Sequence, residues 1–219
     1  MRRNAWAKMV GQHVESLKSQ YLFVSVLFLM GVIFGAVIVN SLDPAQKEGL
    51  LGYLSHFFEG LVRDSIAESG VAFQHSFGDH LKTVGLMWIL GLSVIGIPVL
   101  LLLIFLKGLV IGFTVGFLVN QLAWEGLWFS FVAVVPQNLL VIPAMIIIAV
   151  AGLRFSTVLV KNRLIHHRGA IYPEFVSFSL LVTSMAAVLL FSSLFEAYVS
   201  PVMMKSVVPD VETVRALIR

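Results

Sequence analysis

The sequence contains no cysteine, and only 12% of its residues are charged. The absence of cysteine excludes disulfide frameworks and thiolate metal sites. In soluble domains about a quarter of the residues are charged, whereas here 58% are hydrophobic and the mean hydropathy is +0.95. This composition predicts an all-α integral membrane protein and excludes an ordinary soluble domain.

The catalytic motifs of membrane enzymes are also missing. The HExxH motif of a metalloprotease is absent. No histidine falls within the apolar regions, so a serine nucleophile would lack a base at depth. The aspartates also fall outside those regions, which excludes an intramembrane aspartyl protease: Asp43, Asp64, Asp79 and Asp210. We therefore expect neither an enzyme nor a cofactor.

Four apolar regions are long enough to cross a membrane, which takes about 20 residues. They are residues 21–39, 84–119, 127–150 and 175–199. The second region is too long for one crossing, and Lys107 with Gly108 near its middle predicts two helices joined by a tight turn at residues 106–108. A re-entrant hairpin is the other option. We expect about five transmembrane helices, near residues 21–39, 84–105, 108–121, 127–150 and 175–199.

Basic residues predict the orientation, because cytoplasmic loops carry an excess of lysine and arginine. They predict an N-terminus inside and a C-terminus outside, with residues 1–20 as a cytoplasmic segment, 21–199 as one membrane domain and 200–219 as an external tail. The residues that favour this orientation lie in the N-terminal segment and in the loop before residue 175: Arg2, Arg3, Lys8, Lys18, Arg154, Lys161, Arg163 and Arg168.

The external segment at residues 41–82 is too patterned to be a simple turn. Asp43 and Pro44 are typical of an N-cap followed by a first-turn proline. The apolar residues after them recur at helical spacing. We predict an amphipathic helix over residues 46–68 that lies on the outer membrane face or contacts a partner; a helix that packs on the bundle is an equal alternative. The apolar residues are Leu50, Leu51, Leu54, Phe57, Phe58, Leu61, Val62 and Ile66.

The same segment holds the residues from which an external metal site would be built. Imidazoles and carboxylates suit zinc or a similar ion. The sequence does not fix their relative placement, and ordinary surface histidines explain them more simply, so we predict no metal. The candidates are His56, Glu59, His75, Asp79 and His80.

Glycine spacing gives the strongest architectural signal. Gly108, Gly112 and Gly116 form two overlapping GxxxG units, and Gly31 with Gly35 forms another. Such spacing places glycines on one helix face, where backbones approach closely. The partner is either another span of the same chain or a second protomer, so a homodimer is one expectation. Two tryptophans flank the short loop that follows and are typical of interfacial anchors: Trp124 and Trp128.

The region at residues 128–152 is apolar except at its middle, where Pro136, Gln137, Asn138 and Pro143 interrupt it. Each proline removes a backbone donor and frees carbonyls of the preceding turn, which must find partners within lipid. The amides are expected to donate to those carbonyls or to a neighbouring helix; a ligand or lipid groove is the second interpretation. No second broken helix and no charge accompany this break, which argues against a transporter.

The order of several segments resembles the stage II sporulation protein M family of endospore-forming bacteria. The resemblance covers nearly the whole chain, from the first span to the end of the fifth. It is least diagnostic at residues 42–82 and after residue 201. The segments that carry it are YLFVSVLFLMGVIFGAVIVNSL, MWILGLSVIGIPVLLLLIFLKGLVIGFTVGFLVNQLAWEG, VVPQNLLVIPAMIIIAVAG and FEAYVSP.

The resemblance implies a function that composition does not reach. Members of this family act in engulfment, when the mother-cell membrane migrates around the forespore. The resemblance implies a non-enzymatic membrane scaffold that recruits two peptidoglycan hydrolases, the stage II sporulation proteins P and D, to the septum for wall thinning. Its partners would be these hydrolases and membrane lipids, and no nucleic acid. A multi-pass transporter or lipid-handling protein that uses the helix break is the alternative.

Family patterns bear on a few further residues. Relatives outside sporulation carry a P-H-G-x-x-E-like pattern, onto which Pro136, Gln137, Asn138 and Val141 align, so both ionisable groups are replaced here. Arg154 is interpreted as an inside anchor or as a partner of freed carbonyls. Glu196 resembles a recurring family position, and we favour an interhelical contact over a proton site.

Overall fold

The computed structural model describes residues 17–62, 69–161 and 171–208. Parts of four predicted segments lie outside the described residues. They are the N-terminal segment at 1–16, the end of the amphipathic helix at 63–68, the basic loop at 162–170 and the tail at 209–219. The described residues are almost wholly helical and include no strand. The elements are α1 (Lys18–Ile38), a 3₁₀ turn (Val39–Ser41), α2 (Pro44–Val62), α3 (Ser69–Gly91), α4 (Gly96–Leu159), α5 (Tyr172–Tyr198) and α6 (Ser200–Lys205).

Helix α4 is a hairpin and not one straight rod. Its chain reverses at Ala123, whose φ of 48° and ψ of −119° are not helical. Beyond this residue Gly126 comes back against Leu118, so closely that an added Cβ would overlap the Leu118 carbonyl oxygen. We name residues 96–122 the first arm and residues 124–159 the second arm. The reversal makes the two arms antiparallel neighbours.

The remaining contacts give the direction of each helix. Gly31 of α1 lies beside Phe105, and Gly35 lies beside Leu109, so α1 runs parallel to the first arm. The end of α3 at Gly91 meets Gly152, late in the second arm, and Phe178, early in α5. The bundle therefore has five arms, in which α1, the first arm and α5 run one way while α3 and the second arm run the other.

The turn predicted at residues 106–108 is wrong, because the first arm is helical through them. The break lies at residues 92–95 instead. There the Ser156 hydroxyl donates its hydrogen to the carbonyl oxygen of Gly91 at 2.8 Å, and the carbonyl oxygen of Ser93 lies 3.1 Å away. Ser156 thus satisfies a carbonyl that the end of α3 leaves without a helical partner. The lysine and glycine that suggested a turn face two different neighbours along a continuous helix.

The external segment also differs from the expectation. Helix α2 covers most of the predicted amphipathic helix, but residues 69–82 belong to α3, which continues without a break to Gly91. The predicted segment at residues 41–82 is therefore divided between two helices. Helix α2 packs on the bundle through Leu51, Phe58 and Leu61, and it leaves Tyr53 and Val62 exposed.

Three helical stretches of the described chain are long and apolar enough to cross a membrane: Lys18–Ser41, Gly96–Leu159 and Tyr172–Lys205. Helix α1 exposes Leu22, Leu29 and Ile33, and contiguous apolar surface of this kind marks a membrane or partner contact. Inside the bundle the main core is formed by residues from α1, α3, both arms of α4 and α5, among them Val24, Met87, Leu100, Ile104, Ile148, Phe178 and Leu189. The chain is thus an all-helical protein with the exterior of a membrane protein.

Candidate functional site

A polar cavity of about 180 Å³ lies inside the bundle, between α3, the two arms of α4 and α5. It brings together ionisable side chains from three helices that are far apart in sequence. Three uncharged polar residues and four apolar residues complete its wall. The lining residues are His80, Lys107, Val110, Ile111, Thr114, Val134, Gln137, Asn138, Val141 and Glu196.

Lys107 is the cation of this cavity. It lies eleven residues beyond Gly96, which is about 16 Å along the helix axis, near the middle of the first arm. Within the described part of the chain, its ammonium has no hydrogen-bond or ion-pair partner. A lysine at the centre of a membrane helix costs about 2.5–3.5 kcal/mol on insertion scales. The helix accommodates that cost because the side chain faces the cavity.

His80 reaches the cavity from α3 and contacts α5. Its Nδ1 atom lies 3.0 Å from Oγ of Ser193, and Oγ of Ser193 lies 3.0 Å from the carbonyl oxygen of Leu189. This polar contact holds α3 against α5 beside the cavity.

Glu196 is the anion of the cavity and comes from α5. Ser76 of α3 donates a hydrogen bond of 2.6 Å to its Oε2 atom. Hydrogen bonds to a charged acceptor are shorter and stronger than neutral ones, so this contact both ties α5 to α3 and stabilises the carboxylate. The other carboxylate oxygen, Oε1, has no hydrogen-bond donor among the described residues.

The two amides at the helix break behave differently. Asn138 is buried and donates from Nδ2 to the carbonyl oxygen of Val134 at 2.8 Å. The prolines at 136 and 143 free the carbonyls of Val132 and Leu139. Asn138 therefore does not donate to a carbonyl that a proline has freed, contrary to the expectation. Gln137 contributes its backbone carbonyl to Ser192 at 3.1 Å. Its side-chain amide makes no hydrogen bond within the described residues and faces the cavity.

An apolar groove of about 370 Å³ adjoins the polar cavity. Thr114, Val134 and Gln137 line both spaces, so the polar and apolar compartments meet along these side chains. The groove lies between α2, the two arms of α4 and α6. Its other lining residues are Leu50, Tyr53, Leu54, Phe57, Phe113, Phe117, Leu118, Phe129, Ala133 and Met204.

The predicted glycines lie on the opposite face of the first arm. An added Cβ on Gly108 or Gly112 would overlap the carbonyl oxygen of Phe28 or Val32, and one on Gly116 would come within 2.8 Å of the Ala36 Cα. Gly31 and Gly35 meet the first arm in the same way. The two glycine runs therefore face each other within one chain. A homodimer would have to use another surface.

The structure does not bring the candidate metal ligands together. His56 and Glu59 lie on α2, while His75 lies 3.7 Å from Asp79 on the exposed side of α3. Asp79 is also bound to Lys82 at 3.1 Å, and His80 faces the cavity. Residues 17–62, 69–161 and 171–208 contain no group of three potential ligands.

Arg154 does not line the polar cavity. Its Nη2 atom lies 3.7 Å from Oε2 of Glu174. This ion pair joins the second arm to the beginning of α5, at the end of the bundle where α3 also ends.

The ionisable side chains beside the helix break were missed in the sequence. The expectation that no charge accompanies the break is wrong, because Lys107, His80 and Glu196 all reach the cavity that Gln137 lines. His80 itself lies outside the apolar regions, in the part of α3 that precedes residue 84. A lysine in an otherwise apolar run is itself a signal of a buried polar site, and Lys107 carried that signal.

One protein-family model, described as Stage II sporulation protein M, matches residues 24–201. The matched region begins in α1 and ends in α6, and it includes every residue that lines the polar cavity. Neither the curated proteins nor the solved structures include a match to this chain.

Proposed function

The chain belongs to the stage II sporulation protein M family, since the family model covers most of its length, and from this membership we propose a non-enzymatic scaffold of the engulfment machinery. It would lie in the mother-cell membrane at the septum and in the engulfing membrane. There it would recruit the peptidoglycan hydrolases known as stage II sporulation proteins P and D, which thin the septal wall. The family match is the observation that carries this proposal.

The arrangement at one end of the bundle supports a docking role. Helix α2, the hairpin turn near Trp124 and helix α6 meet at this end. Phe58 of α2, Phe129 of the second arm and Met204 of α6 share one apolar cluster. Around it Tyr53 and Trp124 remain 79% and 75% exposed. Exposed aromatic side chains of this kind are typical anchors of protein interfaces.

The direction of the arms supports the proposed topology. An odd number of arms places the beginning of α1 and the end of α5 at opposite ends of the bundle. With the N-terminus inside, the cluster of α2, the hairpin turn and α6 would face the outside, where wall hydrolases act. The end with Arg154 and Glu174 would face the cytoplasm. We therefore propose five crossings, with α3 as one of them.

A pull-down from sporulating cells tests the scaffold. The tagged chain would be purified in mild detergent, and the co-purifying proteins identified by mass spectrometry. Tyr53→Glu is expected to remove the hydrolases, because it places a charge on the proposed docking end. Tyr172→Glu is the matched control, since Tyr172 is 76% exposed at the opposite end and its variant should retain them. Recovery of the wild-type chain without hydrolases, under conditions that preserve other membrane complexes, would contradict the proposal.

A second function, lipid handling or transport at the helix break, has one specific observation in its favour. The cavity that contains Lys107, Gln137 and Glu196 shares three lining side chains with an apolar groove. Membrane transporters and lipid-binding proteins place polar groups inside the bilayer in this way. A scaffold alone gives no reason for a lysine and a glutamate in one cavity of the bundle.

A further inference from the structure

The cavity contains more hydrogen-bonding capacity than the described residues use. The ammonium of Lys107 and the side-chain amide of Gln137 both face it without a protein partner. Unsatisfied polar groups are costly in an apolar interior, and a space of about 180 Å³ is large enough for water or a small polar group. We therefore expect the cavity to contain water or a polar group of a ligand.

The charges that line the cavity indicate which kind of ligand group it would bind. Lys107 offers donors to an anionic group, while Oε1 of Glu196 offers an acceptor to a cationic one. A simple anion would be repelled by Glu196, and a simple cation would be repelled by Lys107. A group that carries both signs matches both residues at once.

The adjoining groove adds the second requirement. It shares Thr114, Val134 and Gln137 with the cavity, and the remainder of its wall is apolar or aromatic. A ligand that fills both spaces therefore has a polar end and an apolar end. Helix α1 and the arms of α4 have the composition of membrane spans, so the surrounding source of amphipathic molecules is the bilayer.

We propose that the polar cavity and the apolar groove form one binding site for a bilayer phospholipid with a zwitterionic head group. The phosphate is bound by Lys107 and Gln137, the amine is bound by Glu196, and an acyl chain lies in the groove. This inference gives the second candidate function its ligand and is independent of hydrolase recruitment. Binding of the head group inside the bundle removes the lipid from its leaflet.

Lipid retention by the purified full chain tests the site. The protein would be delipidated in detergent and then mixed with equal amounts of phosphatidylethanolamine, phosphatidylglycerol and diacylglycerol of the same acyl composition. Bound lipid would be counted by native mass spectrometry. We expect phosphatidylethanolamine to be retained about tenfold over the other two, which corresponds to about 1.4 kcal/mol.

Substitutions then separate the cavity from the rest of the surface. Lys107→Met and Glu196→Gln each remove one charge from the cavity and should abolish the preference. Lys82→Met and Asp79→Asn make the same kinds of change on the exposed face of α3 and should preserve it. Thr114→Phe fills the junction of cavity and groove from an exposed position and should reduce retention of all lipids. Thermal melting and size-exclusion profiles check that each variant is folded.

Several outcomes overturn the proposal. Equal retention of the three lipids, or a preference that survives in folded Lys107→Met, shows that the cavity does not select the head group. A preference for phosphatidylglycerol shows an anion site and excludes the zwitterion. Because no hydrolase is present in this experiment, its failure leaves the scaffold proposal standing, and failure of the pull-down leaves the lipid proposal standing.

Discussion

The first arm of α4 has two faces with opposite properties. On one face Gly108, Gly112 and Gly116 lie against the backbone of α1 so closely that no methyl group fits. On the other face Lys107 and Thr114 line a cavity of about 180 Å³. The glycine face has no room for a larger side chain, whereas the cavity face carries polar side chains.

This difference indicates how the helix can carry a lysine near its middle. The glycine contacts hold α1 and the first arm at a short backbone distance, as small residues do between membrane helices. That packing fixes the rotation of the arm about its axis, and with it the direction in which Lys107 points. The glycine contacts with α1 therefore keep Lys107 directed into the cavity.

The largest effect is expected where the tight face is broken. Gly112→Ala places a Cβ on the carbonyl oxygen of Val32, so α1 and the first arm must separate. Overpacking of this kind costs about 3 kcal/mol. Gly85→Ala is the control, because a Cβ at Gly85 meets no atom within 4 Å. Thermal unfolding in detergent should show a large drop in midpoint for Gly112→Ala alone; equal midpoints would show that the glycine contact is not tight.

A second substitution pair separates the two amides at the helix break. Asn138→Leu removes a buried hydrogen bond to Val134 and should lower the free energy of unfolding by about 1–2 kcal/mol. Gln137→Leu removes an amide that makes no protein hydrogen bond, so it should leave stability nearly unchanged while it alters lipid retention. Chemical or thermal unfolding measures both. The reverse order of stabilities would mean that Gln137, and not Asn138, secures the second arm.

The hairpin that brings the second arm onto the cavity face offers a smaller, stabilising change. Ala123 combines a positive φ of 48° with a ψ of −119°, a sparsely populated conformation that costs an L residue about 1–3 kcal/mol. Glycine relieves that strain but adds freedom to the unfolded chain, so Ala123→Gly should gain about 0.5 kcal/mol. A rise in the thermal midpoint checks it, and a fall would show that Ala123 is not strained.

The smallest effect is expected far from both faces. Glu174→Gln removes the partly exposed ion pair with Arg154, and such pairs contribute about 0.5 kcal/mol or less. The unfolding midpoint should change little, and it should change less still at high salt. A loss as large as that of Asn138→Leu would place an unrecognised structural role at this end of the bundle.

The sequence predicted the close glycine contact of the first arm, but it did not predict the polar cavity on the other face. Glycine spacing identifies a close helix contact from local sequence alone. Two features of the bundle depend on contacts between segments that are far apart in the sequence. The turn lies at residues 92–95 because Ser156 satisfies the end of α3 there, and His80 enters the bundle only because α3 is longer than its apolar part. Neither fact can be derived from spacing within one segment.

The predicted break at residues 106–108 shows the same limit from the other side. Lysine followed by glycine in an apolar run is typical of a turn when each segment is considered alone. In the structure Gly108 contacts α1 and Lys107 faces the cavity, so both residues suit a continuous helix. Knowledge of the partners on each face is what distinguishes the two interpretations.

Cysteine accessibility tests the difference between the faces most directly, since the chain has no cysteine of its own. Gly35 lies close to Phe113, which places Ile33 of α1 near the level of Thr114 in the first arm. Ile33 is exposed on the apolar exterior, and Thr114 lines the cavity.

Single variants Thr114→Cys and Ile33→Cys would be treated with a water-soluble thiol reagent in intact membranes, where only a hydrated cysteine forms the reactive thiolate. The account predicts rapid modification at position 114 and none at position 33. Equal protection of both cysteines would contradict a polar cavity inside the bundle.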